Sequence, residues 1–317
     1  MTATGGPEVL VAQDVPAPRP QPGEVLVRNE AIPVLYPETL VRSGAFPIPI
    51  PLPLIFGTQA VGVITEVGAG VDAALIGQRV AVASNGFGTF AELVSVPAES
   101  TVRIPDGLPS ADAAAVMMSG SVAIPLLETA KLTGTETVLI EAAATGVGGY
   151  LTQLAKEYGA ARVIATAGGP EKADRAREFG ADEVIDHLDP NWPERLREIL
   201  GGATIDVVFD SIGGESARTV LDLMTPLRGR MLSYGLLSGG FAQVSAMDLV
   251  MRGLTLIGCS GADWLAGVAQ ARGAALERAA AGSLTPLVDR VLPLDQAAHA
   301  HQLIEDRAVK GTIILQP

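Results

Sequence analysis

Residues Thr137 to Ala160 read TVLIEAAATGVGGYLTQLAKEYGA. An apolar run enters a turn of small residues and leaves as an amphipathic helix, and a second apolar run, RVIATA at 162–167, follows one βαβ unit later. This is the layout of a dinucleotide-binding fingerprint. Its three G-x-G-x-x-G glycines provide a tight bend, close approach to pyrophosphate and close helix–strand packing. The six positions here are Ala143, Ala144, Thr145, Gly146, Val147 and Gly148, so two of the motif glycines are replaced. Gly148 holds the packing position, Gly146 keeps the bend flexible, and Ala143 is the mildest substitute at the first position. Thr145 is the demanding one, because its Cβ and hydroxyl stand where a diphosphate approaches, although a hydroxyl also donates to phosphate oxygen. A strand–helix turn without a ligand would share the local pattern. The βαβ context favours dinucleotide binding, with Ala144, Thr145, Gly146 and Val147 against the phosphates.

The tip of the second strand reports on the ribose. NAD sites place Asp or Glu there to bond the 2′-hydroxyl. In ATAGGPEKADRAREFGA (165–181) that tip carries no acid; Thr166 and Gly168 leave room, and Lys172 and Arg175 follow on the next helix. A helix N-terminus also favours an anion. This reads as a 2′-phosphate pocket and NADPH as the cofactor. The alternative is that both cations pair with Glu171 and Glu178 on the helix surface. Ile212 and Gly213 after DVVFD, and Tyr234 and Gly235 after GRMLS, complete the expected cofactor set.

Working outward, apolar runs alternate with helical patterns from 136 to 285, as in a parallel sheet covered on both faces, which is a doubly wound α/β (Rossmann) domain. Upstream, GEVLVRNEAI, AVGVITEVG, QRVAVAS and FAELVSVP are short strands between Gly and Pro turns, a β-rich, barrel-like domain. SADAAAVMMSGSVAIPLLETAKL reads as helix, with Ser110 as N-cap and Pro125 as a break. The expected division is a β-rich domain at 1–118 and 286–317 and a nucleotide domain at 119–285.

At 317 residues the chain suits two domains, and its net charge of −13 makes nucleic acid and anionic membrane poor partners. The single cysteine, Cys259, excludes an intrachain disulfide and a cysteine-rich zinc site. The uncharged stretch Ala45–Thr65 is long enough to span a bilayer, but Pro47, Pro49, Pro51 and Pro53 force extended backbone instead. With no signal-peptide pattern at the start, a soluble, cytoplasmic protein is expected.

Several segments together carry a family resemblance: AIPVLYPETLVRSGAFP (31–47), GTQAVGVITEVGAGV (57–71), GQRVAV (77–82), GTFAELVSVPAE (88–99), AAATGVGG, AREFGADEVID and DVVFDSIGG. In this order and spacing the chain resembles the medium-chain dehydrogenase/reductase superfamily, in its zinc-free quinone oxidoreductase and enoyl reductase branch. The resemblance implies a GroES-like catalytic domain closed by the C-terminal strand, a cleft beside the Rossmann domain, a homodimer, and hydride transfer from NADPH to a quinone or activated C=C bond. Zinc-dependent members carry a cysteine ahead of the first catalytic helix and a G-H-E motif. This chain has Gly57-Thr58-Gln59 there and no cysteine in its first domain, so no metal is expected.

The catalytic face departs from the relatives. Leu35 stands where they place Asn, Phe46 where many enoyl reductases place Tyr, Val122 where Thr is frequent, and Thr312 where Lys is common, with Lys310 two residues earlier. Tyr36 is the best candidate for proton donor or carbonyl anchor, with a packing role equally open, and Gln59 is a candidate polar partner. Glu38 matches an acidic position that braces the domain. Ser119 and Ser121 are polar spots near the cofactor face, His187 matches a 2′-phosphate position, and His299 and His301 are expected to be structural. The Pro-rich FPIPIPLPLIF presents Ile48, Ile50, Leu52 and Leu54 on extended backbone, and with Leu35 and Phe46 suggests an apolar substrate wall, or else a rigid connector. The reading is an NADPH-dependent, zinc-independent reductase of an activated C=C bond or quinone. Its rival keeps the fold without redox chemistry.

Overall fold

The structure is a computed structural model that describes residues 1–46, 49–84 and 86–317. Ile48, named above for the apolar wall, lies outside the described residues. The chain divides into two compact units, Met1–Met118 with Arg272–Pro317, and Ser119–Ala271. The sequence boundary at 285/286 falls later than the observed one at Arg272.

The first unit is built on strand β1 (Glu24–Val34), which is buried along nearly its whole length because strands flank it on both sides. Helix α1 (Tyr36–Ser43) follows, then β2 (Gln59–Val67), β3 (Arg79–Ala83), β4 (Leu93–Pro97), β5 (Thr101–Arg103) and α2 (Ser110–Val116). After the second unit the chain returns through β12 (Val288–Pro293), α10 (Ala297–Glu305) and β13 (Thr312–Gln316). The sheet runs β12-β13-β1-β2-β3-β5, with β4 also on β1, so the C-terminal strand closes the domain as expected. Val25, Val27, Ile32, Ile64, Val82 and Ile313 form its core.

The second unit opens with α3 (Ser119–Ala130) and then alternates β6 (Glu136–Ile140), α4 (Gly146–Leu154), β7 (Ala160–Ala167), α5 (Pro170–Glu178), β8 (Glu183–Asp186), α6 (Trp192–Leu200), β9 (Val207–Asp210), α7 (Gly214–Leu221), β10 (Arg230–Ser233), α8 (Ala246–Arg252) and β11 (Thr255–Gly258). Helix α9 (Ala262–Ala280) crosses the division at Arg272. All pairings are parallel, in the order β11-β10-β9-β6-β7-β8. The order reverses between β6 and β9, which makes the crevice at their C-terminal ends the topological switch point where ligands bind. Leu139, Ile164, Leu196, Val208 and Val220 pack this core.

Two local expectations change. Ser110 is the first residue of α2 rather than its cap, and the helical stretch breaks at Met117–Met118, while Pro125 lies inside α3. That proline removes one i→i−4 bond, and buried Ile124, Leu126 and Leu127 hold the helix through it. The stretch Ser110–Ala130 is apolar and long enough to cross a membrane by composition, yet most of it is buried inside the protein.

Candidate functional site

The turn between β6 and α4 has the geometry of a phosphate cradle. Gly146 opens α4 with φ +50°, and a Cβ built there meets nothing within 4 Å. At Gly148 a Cβ would stand 2.4 Å from the Ala142 carbonyl oxygen and 2.7 Å from that of Glu141, so only glycine lets helix and strand approach this closely. The left-handed residue that starts the bend is Ala142 (φ +51°), one position ahead of Ala143. Ala143 is buried instead, its N–H donating to the Thr166 carbonyl at 2.9 Å. Thr145 precedes α4 in extended conformation and its side chain makes no capping bond. The first N–H groups of a helix lack intrahelical partners. Those of Gly146, Val147 and Gly148 are therefore available to an anion.

Thr166 is buried and its hydroxyl accepts the Ala142 N–H at 3.2 Å, tying the second strand to the turn. Gly168 faces His187; a Cβ there would lie 3.3 Å from the imidazole Nε2. Asp186 accepts N–H bonds from Leu188 (2.9 Å) and Gly169 (3.1 Å), and these donors hold its carboxyl below the ordinary carboxylate range. Lys172 is half-buried on the first turn of α5. Arg175 differs from it, lying over the Phe179 ring at 5.3 Å. Thr166, His187 and Ile212 line one small cavity of about 130 Å³ with Glu141, Trp192 and Ser216.

Glu141 and Asp210 are the residues the sequence reading missed. They are buried at the tips of β6 and β9. Glu141 accepts the Ser216 hydroxyl at 3.0 Å and the Ile212 N–H at 3.4 Å, while Asp210 accepts the Gly213 N–H and the Ser233 hydroxyl, both at 2.7 Å. Burial raises the Glu141 carboxyl well above the usual range and neighbouring Asp210 raises it further, which favours a protonated group. Burial also pushes the Tyr234 phenol up. Gly213 and Gly235 are close-approach positions, where a Cβ would meet Gly240 O at 2.2 Å and Ser211 O at 2.5 Å. The signal for the acid pair was a charged residue ending each of two otherwise apolar strands.

In the first unit, Glu38 caps α1 by accepting the Leu35 N–H at 2.9 Å and also accepts the Thr58 N–H (2.9 Å) and hydroxyl (2.8 Å). Burial pushes this carboxyl up to about 7 against those bonds. Tyr36 is half-buried and packs on the β-domain core. Gln59 is buried, its amide donating to Met118 Sδ at 3.1 Å, with Oε1 lacking a hydrogen-bond partner among the described residues. Leu35, Phe46 and Ile50 are half-buried and Leu52 is exposed. A groove of about 1090 Å³ takes Pro53 to Phe56 from the Pro-rich stretch, together with Leu10, Phe90 and Leu292. None of Leu35, Phe46, Ile50 or Leu52 lines it. Of the polar spots on α3, Ser121 is fully buried and Ser119 half-buried. His301 is buried edge-on to Phe56 and Phe90 at 5.8 and 5.9 Å. Among the described residues no group of three or more His, Cys, Asp or Glu side chains is arranged to hold a metal ion.

A GroES-like β domain combined with a Rossmann sheet defines a two-domain dehydrogenase or reductase fold. Known proteins agree. Residues 21–106 match the alcohol dehydrogenase GroES-like domain and residues 146–278 the zinc-binding dehydrogenase family. A quinone oxidoreductase from Pseudomonas aeruginosa is 36% identical across 99% of this chain and 98% of its own. A 2-haloacrylate reductase from Burkholderia sp. is 35% identical across 99% and 96%. The crystal structure of Escherichia coli quinone oxidoreductase complexed with NADPH superimposes with a TM-score of 0.90 at 33% identity, covering 100% of this chain and 98% of that one. The chain belongs to the quinone oxidoreductase branch of the medium-chain dehydrogenase/reductase superfamily, and it is an oxidoreductase.

Proposed function

We propose that this protein is a zinc-independent, NADPH-dependent reductase of quinones or activated C=C bonds in apolar substrates. The observation that carries the reading is the β6–α4 turn, where Gly146 leaves open space and Gly148 brings the first N–H groups of α4 against the strand tip. Ala144, Thr145, Gly146 and Val147 would hold the diphosphate. Lys172 and His187, with Thr166 and Gly168, would take the 2′-phosphate, and Ile212, Gly213, Tyr234 and Gly235 would border the remainder. When bound, the dinucleotide supplies a hydride to the electrophilic carbon. Tyr36 and Gln59 would orient the substrate carbonyl, against a wall of Leu35, Phe46, Ile50 and Leu52. Relatives named for quinone and 2-haloacrylate reduction support both acceptor classes. The absence of zinc rests on Gly57-Thr58-Gln59 and on a single cysteine at position 259.

A homodimer is part of the same proposal. Among the described residues strand β11 ends the Rossmann sheet with an unpaired edge, and α8, which precedes it in sequence, exposes Met247, Val250 and Met251, by 67 to 77%. An open edge beside an apolar face is a surface that proteins cover. A thermal-shift titration tests the nucleotide claim, since a ligand that binds only the folded chain raises its melting temperature. NADPH should raise it at lower concentration than NADH. Equal shifts, or none, would count against the 2′-phosphate pocket.

A further inference from the structure

We propose that Glu141 is a positioning residue for the dinucleotide, which it serves by sharing one proton with Asp210, and that the pair must hold this proton for the cofactor to bind tightly. The inference rests on the dinucleotide site described above. The register Val138↔Val207, Leu139↔Val208, Ile140↔Phe209 makes Glu141 and Asp210 the next pair along two adjacent parallel strands. They are 2% and 0% exposed, and their side chains are hydrogen-bonded to each other. Two ionised carboxylates offer only acceptors, so that bond contains a proton. No cation is among the groups that act on Glu141, and two like charges side by side in a buried site do not both ionise.

The pair faces the site. Glu141 lines the cavity of about 130 Å³ together with Thr166, His187, Ile212 and Ser216. Its backbone carbonyl is one of the two atoms that crowd Gly148 at the base of the phosphate cradle. Its carboxyl accepts the Ile212 N–H at 3.4 Å, while Asp210 accepts the Gly213 N–H at 2.7 Å, so consecutive amides of one turn are divided between the two acids. On its other side the same turn is tied to the segment before α8, by Ser238 N–H to Ile212 O at 2.9 Å and Gly214 N–H to Phe241 O at 3.0 Å. With one proton the pair carries a single negative charge, met by these donors. Without it two charges repel, and the turn that each acid holds by one amide is pulled apart. The phosphates of a dinucleotide bring more negative charge to the adjoining cradle, so the complex retains the proton more tightly than the free protein does.

Burial and Asp210 place the Glu141 carboxyl above the usual range, so the proton is lost on the alkaline side. The elements packed on β6 are β7, β9 and α4. Besides Asp210 they carry Arg162, which is engaged by Glu183, and Tyr150, which is buried. The other titratable groups nearby are His187 in the cavity, the Tyr234 phenol, and Cys259 next to it, whose thiol burial pushes up to about 11. Glu215 and Arg218 lie on α7 with Ser216. Wherever the free protein has lost the shared proton and the complex keeps it, affinity falls about tenfold per pH unit, and binding takes up one proton from the buffer.

Isothermal titration of NADH and NADPH into the protein from about pH 6 to about pH 9.5, in buffers of different ionisation enthalpy, measures both quantities. NADH lacks the 2′-phosphate, so its pH dependence is free of that group. Wild-type affinity for NADH should be flat at the acid end and then weaken about tenfold per pH unit, with about one proton taken up per dinucleotide. Glu141→Gln, whose amide donates to Asp210 and accepts from Ile212 and Ser216, should show neither slope nor proton uptake. His187→Gln should keep the NADH slope. Asp210→Asn removes the like charge and should move the onset of the slope to a different pH, which decides the matter together with the wild-type proton count if Glu141→Gln fails to fold. Infrared difference spectra with labelled glutamate should show a protonated carboxyl forming as NADH binds at alkaline pH. Wild-type NADH affinity that does not change with pH, or a slope that survives in Glu141→Gln, overturns the shared proton alone. A wild-type protein that binds neither dinucleotide at any pH overturns the cofactor site and the inference with it.

Discussion

Replacing Gly148 by Ala tests the cradle at its tightest point. The added Cβ would stand 2.4 Å from Ala142 O and 2.7 Å from Glu141 O. Ordinary carbon–oxygen contacts are about 3.3 to 3.6 Å, so α4 and the end of β6 must separate by roughly an ångström. Both obstructing atoms are backbone, and neither swings aside as a side-chain tip would. Overpacking costs about 1 to 3 kcal/mol, and two backbone clashes put this variant near the upper figure, about 3 kcal/mol. At about 2 to 4 °C per kcal/mol for a unit of this size, the melting temperature should fall by about 6 to 12 °C. Gly146→Ala is the control, because it meets open space and is penalised only by its positive φ, about 1 kcal/mol. Thermal unfolding by circular dichroism, with and without NADPH, reads both variants. The Gly148 variant should also lose most of its NADPH-induced shift, because the N–H groups of Gly146 and Val147 move with the helix. A Gly148→Ala protein that melts with the wild type, or a more damaging Gly146→Ala, would refute the close-packed cradle.

Lys172→Ala should weaken NADPH binding about 10- to 100-fold, the worth of a charge-assisted hydrogen bond, and leave NADH nearly unaffected; competitive titration of the two dinucleotides measures it. His301 is depressed to about 3 by burial and by nearby Arg42. Below its unfolded value of 6.5 the unfolded chain takes up a proton that the folded chain refuses, so stability drains as pH falls from 6.5 towards 3. His301→Phe should flatten that part of the melting-temperature profile, and an unchanged slope would count against it. Glu38 behaves oppositely. Its folded value of about 7 exceeds the ordinary 4.5, so it withdraws stability as pH rises between those values, on the order of 3 kcal/mol in full; guanidinium titrations of Glu38→Gln at both ends of the window should show the difference. Val250→Asp on the exposed face of α8 should convert a dimer to monomer in sedimentation, and a dimer that persists excludes that face.

The Rossmann unit was legible because its signals are local. Val138–Ile140 and Val163–Ile164 are continuous apolar runs, and the spacing of Gly146 and Gly148 marks the turn between them. The left-handed bend escaped because alanine at position 142 gives no hint of positive φ. Glu141 and Asp210 lie 69 residues apart in sequence, and only the parallel pairing of β6 with β9 brings their strand tips together. The same holds for Glu38 and Thr58: the acid was legible as a bracing residue, but its hydroxyl partner and its burial depend on how α1 meets the start of β2. Helix α8 is hard to read from sequence because it has only seven residues, and Met247, Val250 and Met251 are exposed while Leu249 alone of its large apolar residues packs on the core, which leaves no inward stripe. The expected catalytic face was least legible, since apolar Leu35, Phe46 and Val122 give no sign in the sequence of which group would act beside them.

The most direct test of the central claim is acceptor-dependent NADPH oxidation by chelator-treated protein, run against a panel of quinones, enones and enoyl thioesters. The account predicts turnover with at least one apolar acceptor, slower with NADH, and unchanged by the chelator or by added zinc. Saturable NADPH binding with no oxidation by any acceptor, or activity restored only by zinc, would contradict it.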